Sequence, residues 1–234
     1  RLTTLAGETV QFACVPYPFR SRYELDDGGA YLTRDLVSRL LHRKVSEWIA
    51  GVPALLSFDT SLPTVLVAHL HVRGAEVHTL YKLEDKDDVL FDFADLKPNW
   101  AYVALGHIHK PQMLNGSPTV RYPGPLDRLD FGEKDDTRGA IFAEIGPTGV
   151  VGEVEWLPLE PTPFVDLTVT DPFAPLPDHP ATAFVRVTVA DAGPNRNELG
   201  RRLRQAYPRL HPITLPEAAR PPDALPGFAP DAGF

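Results

Sequence analysis

The sequence predicts an α/β fold followed by a small α+β unit, and three observations carry that reading. Two apolar β-type runs, Thr64 to Ala68 and Tyr102 to Leu105, each lead directly toward histidine. The segment 31–49 places apolar residues at helical spacing. A proline-punctuated connector, Pro158 to Pro163, separates these elements from a shorter β-β-α-β pattern.

Taken in order, Val10 to Val15 reads as a strand that Pro16-Tyr17-Pro18 ends. In the segment from Tyr31 to Ile49, Leu32, Leu36, Val37, Leu40, Leu41, Val45, Trp48 and Ile49 form one stripe, with charged residues opposite. Gly51 and Pro53 stop that helix. The strand Val65–Ala68 leads to His69. The polar stretch from His71 to Asp88 is expected to be loop, and Phe91 to Leu96 a short helix closed by Pro98. Strands are expected at 102–105, 119–122, 139–145 and 150–157, the last two joined as a hairpin by Gly-Pro-Thr-Gly. Beyond the connector, strands at 164–169 and 183–189, a helix at 198–206 and a strand at 213–215 form the small unit. The segment 216–234 is rich in Pro, Ala and Asp and is expected to be poorly ordered.

A chain of 234 residues with 43% apolar content can bury a full core. No apolar run approaches membrane-span length and no signal peptide is visible, so a cytoplasmic protein is expected. The single cysteine, Cys14, cannot form an internal disulfide; it is expected to be a buried strand residue in a reducing compartment. The net charge of −8 argues against a purely electrostatic nucleic-acid binder, though not against an enzyme that meets DNA through metals and a local patch. The only methionine is Met113, which leaves two expectations open, a processed chain or part of a longer protein.

The most informative segment is Ala104-Leu105-Gly106-His107-Ile108-His109-Lys110-Pro111. In extended backbone, residues i and i+2 leave the same face, so both imidazoles can enter one site. Gly106 permits a turn or a close approach. Imidazole is the commonest protein metal ligand near neutral pH. With His69 ending one strand and a charged loop following the strand at 119–122, the pattern points to a metal site at the strand ends of an α/β sheet.

These motifs are specific in combination. His69, the Gly-His-Ile-His run, and Tyr122-Pro123-Gly124 with Arg128, Asp130-Phe131-Gly132-Glu133 resemble consecutive motifs of the calcineurin-like metallophosphoesterases. Within that superfamily they resemble the SbcD-type DNA repair nucleases, from about Leu5 to His211. The resemblance implies part of an α-β-β-α sandwich over residues 1–158, a capping domain over 159–215 and a Pro-rich tail over 216–234. It implies metal-dependent hydrolysis of DNA phosphodiesters, exonucleolytic or endonucleolytic, by two divalent ions, manganese being the expected metal. It assigns His69 and His107 to one ion and His109 to the other, and makes Arg128, Asp130 and Glu133 loop or substrate contacts. The implied partners are DNA and an SbcC-type SMC-like ATPase, with a homodimer inside a heterotetramer and no membrane.

The sequence also departs from the family. It contains no Asp-x-His, no Gly-Asp and no Asn-His, the motifs that supply the family's carboxylate ligands and its leaving-group histidine. A chain with these ligands absent is expected to be inactive alone. Pro125 stands where the family usually has a small hydroxyl residue. His71 reads as a near-site or solvent histidine, and Lys110 as solvated. Two other functions stay open at this point: a metallophosphoesterase with a non-DNA substrate, and a non-catalytic scaffold module.

Overall fold

The structure is a computed structural model that describes residues 1–5, 7–23, 25, 33–77, 88–97, 99–171, 173–190 and 196–214. The tail 216–234, Tyr31, Leu32, Pro98 and Leu215 lie outside the described residues. The fold is α/β, as the sequence predicts, and divides into two compact units, Arg1–Pro161 and Thr162–Phe234. No helix among the described residues is long and apolar enough to cross a membrane.

In the first unit the strands are β1 (Leu2–Thr3), β2 (Thr9–Val15), β3 (Thr64–His69), β4 (His71–Val72), β5 (Leu90–Phe91), β6 (Tyr102–Gly106), β7 (Gln112–Met113), β8 (Val120–Tyr122), β9 (Arg138–Gly146) and β10 (Gly149–Leu159). The main sheet runs β1-β2-β3-β6-β8-β7. Its four central strands are mutually parallel, and the short edge strands β1 and β7 are antiparallel to their neighbours. Parallel order matters for the site, because the C-terminal ends of β3, β6 and β8 open on one edge. β9 and β10 form the expected antiparallel hairpin, with Pro158 inside β10 opposite Gly139.

Helix α1 spans Arg34–Gly51, and its N-cap Thr33 accepts a hydrogen bond from the Leu36 N–H at 3.3 Å. It buries the i, i+4 row Val37, Leu41, Val45 and Ile49, each worth roughly 1.5–3 kcal/mol of burial. The apolar seam is narrower than the sequence stripe: Leu36 and Trp48 are 37% and 42% exposed. The α1 row shares one core with Ala13, Val15, Leu66, Ala68, Val103 and Leu105. Strand alternation turns Phe12, Cys14 and Val67 the other way, and all three are exposed. Cys14 is thus a strand residue as expected, but on the open face of the sheet rather than in the core.

Of the stretch 71–88 expected as loop, residues 78–87 lie outside the described residues, and its start forms β4. β4 pairs in parallel with β5, and the Tyr122 hydroxyl fixes the turn between β3 and β4. It donates to the Leu70 carbonyl at 2.6 Å and accepts from the Val72 N–H at 3.0 Å. Phe93–Leu96 is a single 3₁₀ turn closed by an Asp92/Asp95 capping box.

The second unit holds β11 (Phe164–Val169), β12 (Phe184–Val189), α2 (Arg196–Ala206) and β13 (Arg209–Leu210), its sheet running β11-β12-β13 with all strands parallel. Val185, Val187 and Val189 alternate into a core with Leu199, Leu203 and Tyr207. The last strand lies earlier than the 213–215 expected. Beyond β13 the His211 N–H still donates to the Val185 carbonyl, and among the described residues the pairing continues as a bridge between Thr188 and Thr214, within the expected 213–215.

Candidate metal centre

The registry of β3 on β6 sets His69 beside Gly106. A Cβ at position 106 would stand 2.9 Å from His69 Nδ1, so only glycine lets that ring lie across the strand end. Gly106→Ala is therefore expected to displace His69 and weaken binding of a divalent ion roughly 10–100-fold, the size of effect that misorienting a ligand produces. Titration calorimetry with zinc checks this, and unchanged affinity would remove His69 from the centre.

Immediately after Gly106 the chain turns sharply, and His107 adopts φ of +101°. A non-glycine residue there is strained by about 1–3 kcal/mol, a cost met most often at functional sites. The turn brings the His107 ring to 5.4 Å from His69, 5.6 Å from His71 and 5.6 Å from Tyr17, centroid to centroid. His69 is solvent-accessible overall but partly screened. That desolvation, followed by the neighbouring His107 and His109 imidazoles, lowers its pKa and favours the neutral ring that can ligate a metal.

Between these rings stands Asp88. Its Oδ2 accepts from His71 Nδ1 at 2.9 Å and from His107 Nε2 at 2.5 Å. Its Oδ1 accepts from the Tyr17 hydroxyl at 3.2 Å and from the Val89 N–H at 3.0 Å. Burial works to raise the carboxyl pKa, but the imidazole hydrogen bonds outweigh it and hold the group well below the usual carboxylate range. His71 Nδ1, Asp88 and His107 Nε2 present ligand atoms that all lie within 4.8 Å of one another.

His109 is held from the other side. Its Nδ1 lies 2.6 Å from Glu133 Oε1, so coordination by this residue must use Nε2. Glu133 is fully buried and its Oε2 accepts from Arg138 Nη2 at 2.6 Å and from the Leu129 N–H at 2.9 Å. Arg138 Nη1 returns to the His109 carbonyl at 3.1 Å. Gly124, at φ +72°, lets the Tyr-Pro-Gly loop pass against that same carbonyl. The remaining loop residues act on the backbone: Asp130 accepts from the Gly132 N–H, and the Arg128 guanidinium donates to the Asp136 carbonyl. Lys110 pairs with Glu76 on the surface.

The structure thus sets His69, His107 and His109 around one edge of the sheet and makes Glu133 a buried support for His109. Of the two readings given to His71, the near-site one agrees with its place beside His107 and the solvent one does not, since its side chain is 7% exposed; Asp88 was not singled out. His71 repeats after His69 the spacing of His107 and His109, a signal that was present. Asp88 carried none, because it follows a polar stretch with no motif. A second group joins His42 of α1 to Asp92 and Asp95. There Asp92 already pairs with Arg73 and Asp95 closes the capping box, so the charge is compensated within the protein. The donor set around His107 is imidazole nitrogen and carboxylate oxygen, which fits manganese, iron or zinc.

No protein-family profile matches the chain. Among curated proteins it is similar to the SbcD component of the nuclease SbcCD from Staphylococcus epidermidis (strain ATCC 12228 / FDA PCI 1200), with 27% identity over 111 residues. That match covers 45% of this chain and 28% of the relative, so the chain spans under a third of the protein it matches. The likeness, weak and partial, is to one component of a nuclease and extends over less than half of the present sequence.

Proposed function

We propose that this chain forms part of an SbcD-type metallophosphoesterase that cuts DNA phosphodiesters with manganese, alongside an SbcC-type ATPase partner. The observation that carries the reading is the pairing of His69 with Gly106-His107 across adjacent parallel strand ends, with His109 anchored by buried Glu133. Divalent ions bound there would polarise a phosphoryl oxygen and supply an activated water. The chain's own share is to hold neutral imidazoles at fixed angles: His69 and His107 toward one ion, His109 through Nε2 toward a second. The open face of the main sheet, with Phe12, Cys14 and Val67 exposed, is compatible with the layered sandwich of this reading. Residues 159–215 are read as the capping domain. A homodimer within a heterotetramer belongs to the same reading.

The test is cleavage of labelled duplex DNA with manganese. This chain alone should not cut. The chain fused behind a segment bearing Asp-x-His, Gly-Asp and Gly-Asn-His should. Close divalent ions repel strongly, and the family's bridging carboxylate is what makes holding both favourable. Robust cutting by the chain alone would overturn the two-ion account. Failure of the fused protein on DNA, with hydrolysis of a cyclic nucleotide or phosphoprotein, would assign another substrate class.

A further inference from the structure

We propose that His71, Asp88 and His107 form a single-ion site of their own, able to hold one divalent transition-metal ion in this chain without the family's missing carboxylates. The proposal deepens the metal-centre reading, with which it shares His107, but it rests on different residues and a different charge balance.

Two observations carry it. The ligand atoms are two imidazole nitrogens and one carboxylate oxygen, each within 4.8 Å of the others. Two histidines and a carboxylate are a sufficient protein contribution to an open transition-metal site. The second is the setting of the carboxylate. Asp88 has a side chain only 11% exposed, and among the described residues no lysine or arginine pairs with it; its partners are two imidazoles, a phenol and one backbone N–H. A carboxylate so far removed from water is ordinarily paired with a cationic side chain or a metal. The buried carboxylate Glu133 has its arginine, and among the described residues Asp88 has none.

The surroundings are arranged as an outer shell would be. Tyr17 donates to the Asp88 oxygen that faces away from the imidazoles, leaving Oδ2 turned toward them. His71 is fixed by its place in β4, which pairs with β5 just beyond Asp88. His107 is thrown inward by its left-handed backbone. Each ligand is thus set by an element other than the ion, which lowers the ordering cost of binding. Water or substrate would complete the coordination, with His69 next in line.

Zinc calorimetry on the 234-residue chain should show one ion per chain, and cobalt(II) loading should give the visible absorption of a low-symmetry nitrogen and oxygen site. His71→Ala and Asp88→Asn should each weaken zinc by more than about 100-fold, beyond the roughly 10–100-fold that losing an orienting group costs. His71→Gln, which keeps the volume of this buried side chain, guards against misfolding and should lose zinc equally. His211→Ala, in the second unit, should bind as the parent does. Absence of zinc binding by the folded parent would overturn the proposal, and so would His71 variants that keep parental affinity. Either result would leave the nuclease reading to its own cleavage assay.

Discussion

Replacing His109 by asparagine in the enzyme completed with the family's upstream motifs should lower manganese-dependent DNA cleavage about 10³-fold and leave folding intact. A metal clamp on a phosphoryl group is worth several kcal/mol of transition-state stabilisation, and each ~1.4 kcal/mol is a factor of ten. Asparagine is the informative substitution because its amide nitrogen sits close to where Nδ1 stood. It can still donate to Glu133 Oε1, so the buried carboxylate keeps that donor. What is lost is Nε2, the nitrogen available for coordination. Alanine removes both, and adds about 1.5–3 kcal/mol for the lost bond to a charged acceptor. Cleavage rates and urea unfolding of the two variants separate these effects. Parental cutting by His109→Asn would remove His109 from the site.

Much of this arrangement was legible in the sequence because it obeys short-range periodicity. The apolar runs ending at His69 and Gly106 fix strands by composition alone, whereas their parallel pairing is a tertiary fact that composition does not display. The seam of α1 was overestimated because hydropathy marks Leu36 and Trp48 as core, while the helix meets its core along one narrow row. Cys14 was misplaced for a related reason. A strand with one open face still reads as apolar on both faces, so hydropathy does not say which side is covered. The short pair β4 and β5 was invisible because two-residue strands have no period. Asp88 was invisible because its role comes from tertiary placement between His71 and His107. Glu133 was seen through its motif, but its partner is Arg138, a residue outside the motif, rather than Arg128 within it. Burial, which sequence does not display, made that choice.

The largest effect on stability is expected at that pair. Arg138 is 1% exposed and Glu133 is 0% exposed, and their bond at 2.6 Å lies beneath the site. Arg138→Met should destabilise the first unit by about 3–5 kcal/mol, because it leaves a buried carboxylate without its guanidinium. Against a total stability of about 5–15 kcal/mol that is a large fraction. Arg138 also ties the His109 carbonyl, so the same change loosens the ligand's backbone. The paired variant Arg138→Met with Glu133→Gln removes both charges, and replacing both partners of a buried ion pair costs far less than breaking it. It should recover most of the lost stability in urea unfolding. It should not recover manganese-dependent cleavage in the completed enzyme, because a neutral amide no longer offers His109 Nδ1 a charged acceptor, and the imidazole loses its fixed tautomer and angle. Stability and function would then separate in one protein. A single Arg138→Met variant within about 1 kcal/mol of the parent would show that water or another group compensates Glu133. Full cleavage by the double variant would show that His109 takes its orientation from the backbone alone.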